Sequence, residues 1–68
     1  MPGETFGRLV ARLRRERHMT QAELAAHLHV TDKAVSKWER DAACPEISTL
    51  PRLADALDVR ACELLSAI

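Results

Sequence analysis

The chain predicts an all-α fold, and three observations carry that expectation. Ala and Leu dominate an apolar content of 47% in which aromatics contribute only 3%. Such a composition suits close-packed helices and lacks the aromatic and β-branched side chains of a sheet surface. Apolar residues recur three and four positions apart, as in Phe6, Leu9, Val10 and Leu13 or Leu50, Leu53, Ala54 and Leu57, which puts each set on one helix face. Thr20 stands three residues before Glu23, the pairing by which a hydroxyl and a carboxylate satisfy free amides at a helix start. With 68 residues the chain holds one small domain, near the lower limit for a core that stands without disulfide or metal staples.

Taken in order, Met1 to Gly3 are expected to be a disordered start, followed by helix 1 over 5–17 with Glu4 or Thr5 as its cap. Phe6, Leu9, Val10 and Leu13 form its inward face, and Arg8, Arg12, Arg15, Glu16 and Arg17 lie mostly opposite. His18 ends the pattern where a cation suits the negative end of the helix dipole. Helix 2 is expected over about 21–27, opened by the Thr20 and Glu23 pairing with Met19 as a hydrophobic staple. Leu24, Ala25 and Leu28 are its buried face. Thr31 caps helix 3, expected over 32–40 with Asp32 in its first turn and Val35 and Trp38 facing inward. The connection between helices 2 and 3 is so short that it must be a tight helix-turn-helix corner. A loop from Asp41 to Glu46 contains Pro45. Helix 4 is expected over 48–57, with Ser48 as cap and Pro51 tolerated in the first turn, and helix 5 over 60–66 with Leu64 and Leu65.

The formal net charge is zero, so bulk charge does not point to nucleic acid, but its distribution is uneven. Residues 1–40 carry eight basic and five acidic side chains, leaving +3; residues 41–68 carry two and five, leaving −3. This polarity would turn the first three helices toward an anionic partner. No apolar run approaches the length of a membrane span, and the N-terminus lacks a signal-peptide core, so the expected location is the cytoplasm and no membrane partner is expected. Cys44 and Cys62 are then expected as reduced thiols.

The order and spacing of several segments resemble the Cro/CI-type (XRE-like) helix-turn-helix domains of bacterial and phage transcriptional regulators. They are Arg14, TQAELA from Thr20 to Ala25, VTDKAVSKWER from Val30 to Arg40, CPEISTLPRLADAL from Cys44 to Leu57, and ELL from Glu63 to Leu65. The resemblance implies a five-helix lambda-repressor-like domain. Helix 3 would lie in the major groove of double-stranded DNA, and helix 2 across the backbone.

By the same resemblance Asp32, Lys33 and Lys37 occupy base-reading positions; lysine can donate to guanine O6 and N7, and aspartate can accept from cytosine N4. Gln21, Thr31, Ser36 and Arg40 are the expected phosphate contacts, and Arg14 would reach Glu39 as an internal bidentate ion pair. The implied activity is sequence-specific binding as a regulator, most simply a repressor. A homodimer would read half-sites about 34 Å apart. One departure is Asp41, where the family usually has Gly; aspartate is among the few residues that tolerate the left-handed conformation of a helix C-cap. A second is the few residues after helix 5, where many relatives carry a dimerisation or sensing region.

Other chemistries fit less well. Trp38 shares the phase of Val35 and is assigned to the core rather than to base stacking. Arg8, Arg12, Arg15 and Arg17 sit on a helix that, in the resembled fold, would point largely away from the groove. His18, His27, His29, Cys44 and Cys62 show no zinc-ligand spacing, and no nucleophile stands with an orienting His and acid. Neither a metal or other cofactor nor catalysis is expected. A protein-interaction module of the same fold is the alternative; an edge of Leu64, Leu65 and Ile68 either meets a partner protein or a second copy, or seals the core.

Overall fold

In the computed structural model, residues 4–67 are described. Met1 to Gly3 and Ile68 lie outside that range, as do the expected disordered start and the Ile68 part of the proposed edge. The elements are α1 (Phe6–Glu16), α2 (Gln21–Leu28), α3 (Asp32–Glu39), a 3-10 turn (Ile47–Thr49), α4 (Leu50–Leu57) and α5 (Ala61–Leu65), with no strand among the described residues. No described helix is long and apolar enough to cross a membrane.

Three threonines start the first three helices. Thr5 accepts from the Arg8 amide at 3.2 Å, and Thr31 from the Ala34 amide at 3.2 Å. Thr20 closes the full reciprocal box, with the Glu23 amide to its hydroxyl at 3.1 Å and its own amide to Glu23 Oε1 at 2.9 Å. Each side chain satisfies one of the amides that a helix start leaves without an internal acceptor. The helix ends differ from expectation by one residue in most cases. Helix 1 is shorter at both ends because Thr5 is the cap and Arg17 already leaves the helical conformation. Helix 2 runs one residue further, to Leu28, before His29 takes up φ 57° and ends it. Helix 3 stops at Glu39, with Arg40 as its cap, and helix 5 loses one residue at each end.

Helix 4 requires a larger correction. Ser48 does not cap it: Ser48 lies inside the 3-10 turn Ile47–Thr49, which enters from Glu46, and the α-helix starts only at Leu50. Neither start uses a side-chain cap. Pro51 in the first turn supplies a preset φ instead and needs no amide partner. Left-handed backbone recurs where helices end: His18, His29, Asp41 and Asp58 all have φ between 56° and 58°, the C-terminal geometry usually given to glycine.

One core joins all five helices. Val10, Leu24, Val35, Leu53, Leu57 and Leu64 are its most deeply buried members, with Phe6, Leu9, Leu13, Leu28, Leu50 and Trp38 around them. Met19 and Val30 pack against its edge. Of the two alternatives for that edge, Leu64 takes the core-sealing one; only Leu65, half exposed, faces outward from that pair. Between α1 and α3 the backbones approach so closely that a Cβ on Gly7 would collide with the Trp38 carbonyl and lie 2.8 Å from the Glu39 carbonyl. Gly7 is the position where the absent side chain sets the packing distance.

Candidate nucleic-acid interface

The site is built on α3. With about 100° between successive residues, Asp32, Ser36, Arg40, Lys33 and Lys37 fall within an arc of about 140°, and Val35 and Trp38 point the other way. Burial follows this division: Val35 and Trp38 are buried, Asp32, Lys33, Lys37 and Arg40 are exposed, and Ser36 is half-buried. Two lysines and an arginine thus share one face with a single acid, at the corner with α2. Thr31, exposed at the start of α3, uses its oxygen to accept from Ala34, which leaves its hydroxyl proton available to an external acceptor. The Arg40 Nε donates to the Ser36 carbonyl at 3.4 Å, so part of that guanidinium lies back along the helix.

What orients this face is a polar cluster behind it. Arg14 on α1 donates Nε to Glu39 Oε2 at 2.6 Å and Nη2 to Glu39 Oε1 at 3.1 Å. A third donation, from Nη1 to the Met19 carbonyl at 2.7 Å, secures the turn before α2. The two side chains are only 12% and 7% exposed, and the hydrogen bonds to Glu39 hold the Arg14 guanidinium above its ordinary basicity. A planar guanidinium making two parallel bonds to one carboxylate fixes orientation as well as distance.

Gln21 joins the same cluster by donating Nε2 to Glu39 Oε1 at 3.1 Å. Only the amide nitrogen can donate to a carboxylate, so this bond settles which way the amide faces. One N–H remains for an outside acceptor. Gln21 is half-buried and links the first turn of α2 to the last turn of α3.

Helix 1 is also tied at other points. Arg12 bonds Glu4 at 2.8 Å and Glu16 at 2.9 Å. Arg17 pairs with Asp58 and donates Nε to the Leu57 carbonyl at 3.3 Å, clipping the end of α4. Arg8 and Arg15 remain exposed on the outer face of α1. Sequence reasoning did not find the contacts of Gln21 with Glu39, Arg17 with Asp58, or Asp41 with the Gly7 amide, the last at 2.9 Å. They join residues 18, 41 and 34 positions apart, and no local spacing marks them. The one available signal was Asp41 itself, a carboxylate where the resembled pattern has glycine.

Two helices joined by a four-step corner, the second presenting a polar and mainly basic arc while its other side is buried, define a helix-turn-helix domain. The family model described as Helix-turn-helix matches residues 10–64. The chain belongs to that family, in its Cro/CI-type (XRE-like) branch. Among solved structures it is similar to the P22 c2 repressor in complex with a synthetic operator, at 27% identity over 97% of this chain and 100% of that one, with a TM-score of 0.89. It is similar also to SinR, a master regulator of biofilm formation solved in complex with DNA, at 29% identity over 90% and 98% of the two chains, with a TM-score of 0.82. A third is the restriction-modification controller protein C.AhdI from Aeromonas hydrophila, at 29% identity over 87% and 86%, with a TM-score of 0.80. A search of curated protein sequences gave no match.

Proposed function

We propose that this chain binds double-stranded DNA sequence-specifically as a transcriptional regulator, acting as a repressor with α3 in the major groove. The observation that carries the reading is the α3 arc: Asp32, Lys33, Ser36, Lys37 and Arg40 on one side, Val35 and Trp38 buried on the other, and Glu39 locked to α1 and α2 between them. The similarity to the P22 c2 repressor and to the regulator SinR, both solved with DNA, supports it.

In this reading Lys33 and Lys37 donate to guanine edges and Asp32 accepts from cytosine. Gln21 gives its remaining N–H to a phosphate, with Thr31, Ser36 and Arg40 as further phosphate contacts that set the register. Double-stranded DNA is then the partner, the cytoplasm the place of action, and a homodimer on two half-sites the simplest assembly. Selection of bound duplexes from a random pool, followed by footprinting, tests it. Enrichment of a motif with a protected block is expected; a pool that stays random after repeated rounds contradicts it.

A second reading, binding of a partner protein, is favoured by the neutral net charge and by Ile47, which is 82% exposed. It predicts no saturable duplex binding even at low salt.

A further inference from the structure

We infer that Asp41 is a positioning residue for α3, acting as the second of two anchors that hold the reading helix on α1. This inference rests on the DNA-binding reading above. The first anchor is Glu39 on Arg14. The second is Asp41, whose Oδ1 accepts from the Gly7 backbone amide at 2.9 Å. Both come from the end of α3, and their partners stand seven residues apart on α1, or about 10 Å along its axis at 1.5 Å per residue.

The separation of the anchors gives Asp41 its role. A single attachment fixes distance but leaves the helix free to swing about that point; a second, to a residue about 10 Å further along α1, opposes the swing. Lys33 and Lys37 project from the far side of α3, so a small rotation at its end displaces their ammonium groups relative to base edges. Base-edge hydrogen bonds tolerate only a few tenths of an ångström and weaken steeply off-axis.

The local structure is arranged for this contact. Asp41 has φ 58°, a conformation aspartate tolerates better than most residues because its short side chain bonds locally. Here it bonds across the fold instead. Gly7 has no Cβ, and one placed there would strike the Trp38 carbonyl and lie 2.9 Å from Asp41 Oδ1. The Gly7 amide belongs to the first turn of α1, where no internal acceptor exists. A carboxylate at the positive end of the helix dipole suits it. The Ala42 amide reaches back to the Lys37 carbonyl at 2.9 Å and holds the turn that aims Asp41.

Two substitutions separate backbone conformation from the anchor. Asp41→Gly keeps the left-handed backbone and removes the acceptor; Asp41→Asn keeps a side-chain oxygen and tolerates the same φ. The probes are a duplex recovered by selection from a random pool and a scrambled duplex of equal length, titrated well below the melting temperature of each variant. Amide hydrogen exchange at Gly7 is read without DNA. Asp41→Gly should exchange Gly7 at least tenfold faster and bind the selected duplex about three- to tenfold more weakly, with little change on the scrambled one. Asp41→Asn should stay within about twofold of the parent in both. A merely structural role would weaken both duplexes alike.

Unchanged Gly7 exchange in Asp41→Gly would overturn the anchor. Faster exchange with an unchanged ratio of selected to scrambled binding would overturn the positioning role. Failure of the parent chain to bind any duplex would overturn the DNA reading and the positioning role together, and the Gly7 exchange tells these failures apart.

Discussion

The chain up to Asp41 and the chain after it are held by different forces. In the first part every helix begins with a threonine cap, and α3 is fastened through Glu39, Gln21 and Asp41. In the second, the 3-10 turn, α4 and α5 start without any side-chain cap, and Leu50, Leu53, Leu57 and Leu64 anchor them mainly by burial, with the Arg17 contacts to Leu57 and Asp58 clipping the end of α4. Apolar burial is strong but non-directional; hydrogen bonds between charged groups add less net energy and dictate angles. A helix that must present Lys33 and Lys37 in register needs the second kind of contact. Helices that only back it need the first.

The largest effect of a single substitution is expected in the apolar half. Leu53 is fully buried, and Leu53→Ala should remove about 3 kcal/mol through lost burial and a residual cavity. A 68-residue domain has only about 3–10 kcal/mol of stability in total. Urea unfolding should show the midpoint collapse, with duplex affinity lost only through the unfolded fraction.

The directional half responds differently. Glu39→Ala leaves the Arg14 guanidinium, 12% exposed, without its carboxylate partner and should cost about 3 kcal/mol. The same change removes one of the two polar anchors of α3 on α1 and its bond to Gln21 on α2. Duplex affinity corrected for the folded fraction should therefore fall as well, whereas Leu53→Ala should leave the corrected value intact. Equal corrected affinities for the two variants would erase the distinction between the halves.

Lys37→Ala touches neither anchor nor core. It should leave the urea midpoint within about 0.5 kcal/mol of the parent and weaken the selected duplex by about 1–3 kcal/mol. An unchanged footprint and affinity would remove Lys37 from the reading set.

The smallest effect is in the pH profile. The Thr5 hydroxyl beside it and the Gly7 amide hold the Asp41 carboxyl below the usual carboxylate range, and the bond from Arg12 does the same for Glu4. A carboxylate whose folded value is lowered contributes stability that is present above its unfolded value and lost as pH falls through the folded one. Stability should decline below about pH 4, and Asp41→Asn should flatten part of that decline. A profile identical in the two proteins would show that Asp41 does not titrate with folding.

Legibility followed the same division. Thr20 with Glu23, the Thr31 cap, the buried phase of Val35 and Trp38, and the leucine faces are local patterns, and the chain displays them within a few residues. The Arg14 contact with Glu39 came by resemblance, since nothing local pairs two residues 25 positions apart. The Asp41 bond to Gly7 was not legible, because its donor is a backbone amide carried by every non-proline residue. Ser48 read as a cap because a serine before a leucine pattern usually is one; the chain instead winds into the helix through a 3-10 turn, and the side chain is left outside. Leu64 and Leu65 are adjacent and equally apolar, so only the approach of α5 to the rest of the core decides that the first is buried.

The most direct test of a DNA-reading α3 face is the salt dependence of affinity for a selected duplex. Cations meeting several phosphates release counterions, so a plot of log affinity against log salt should fall with a slope of about −2 or steeper. A flat plot, or no saturable binding at low salt, would contradict it.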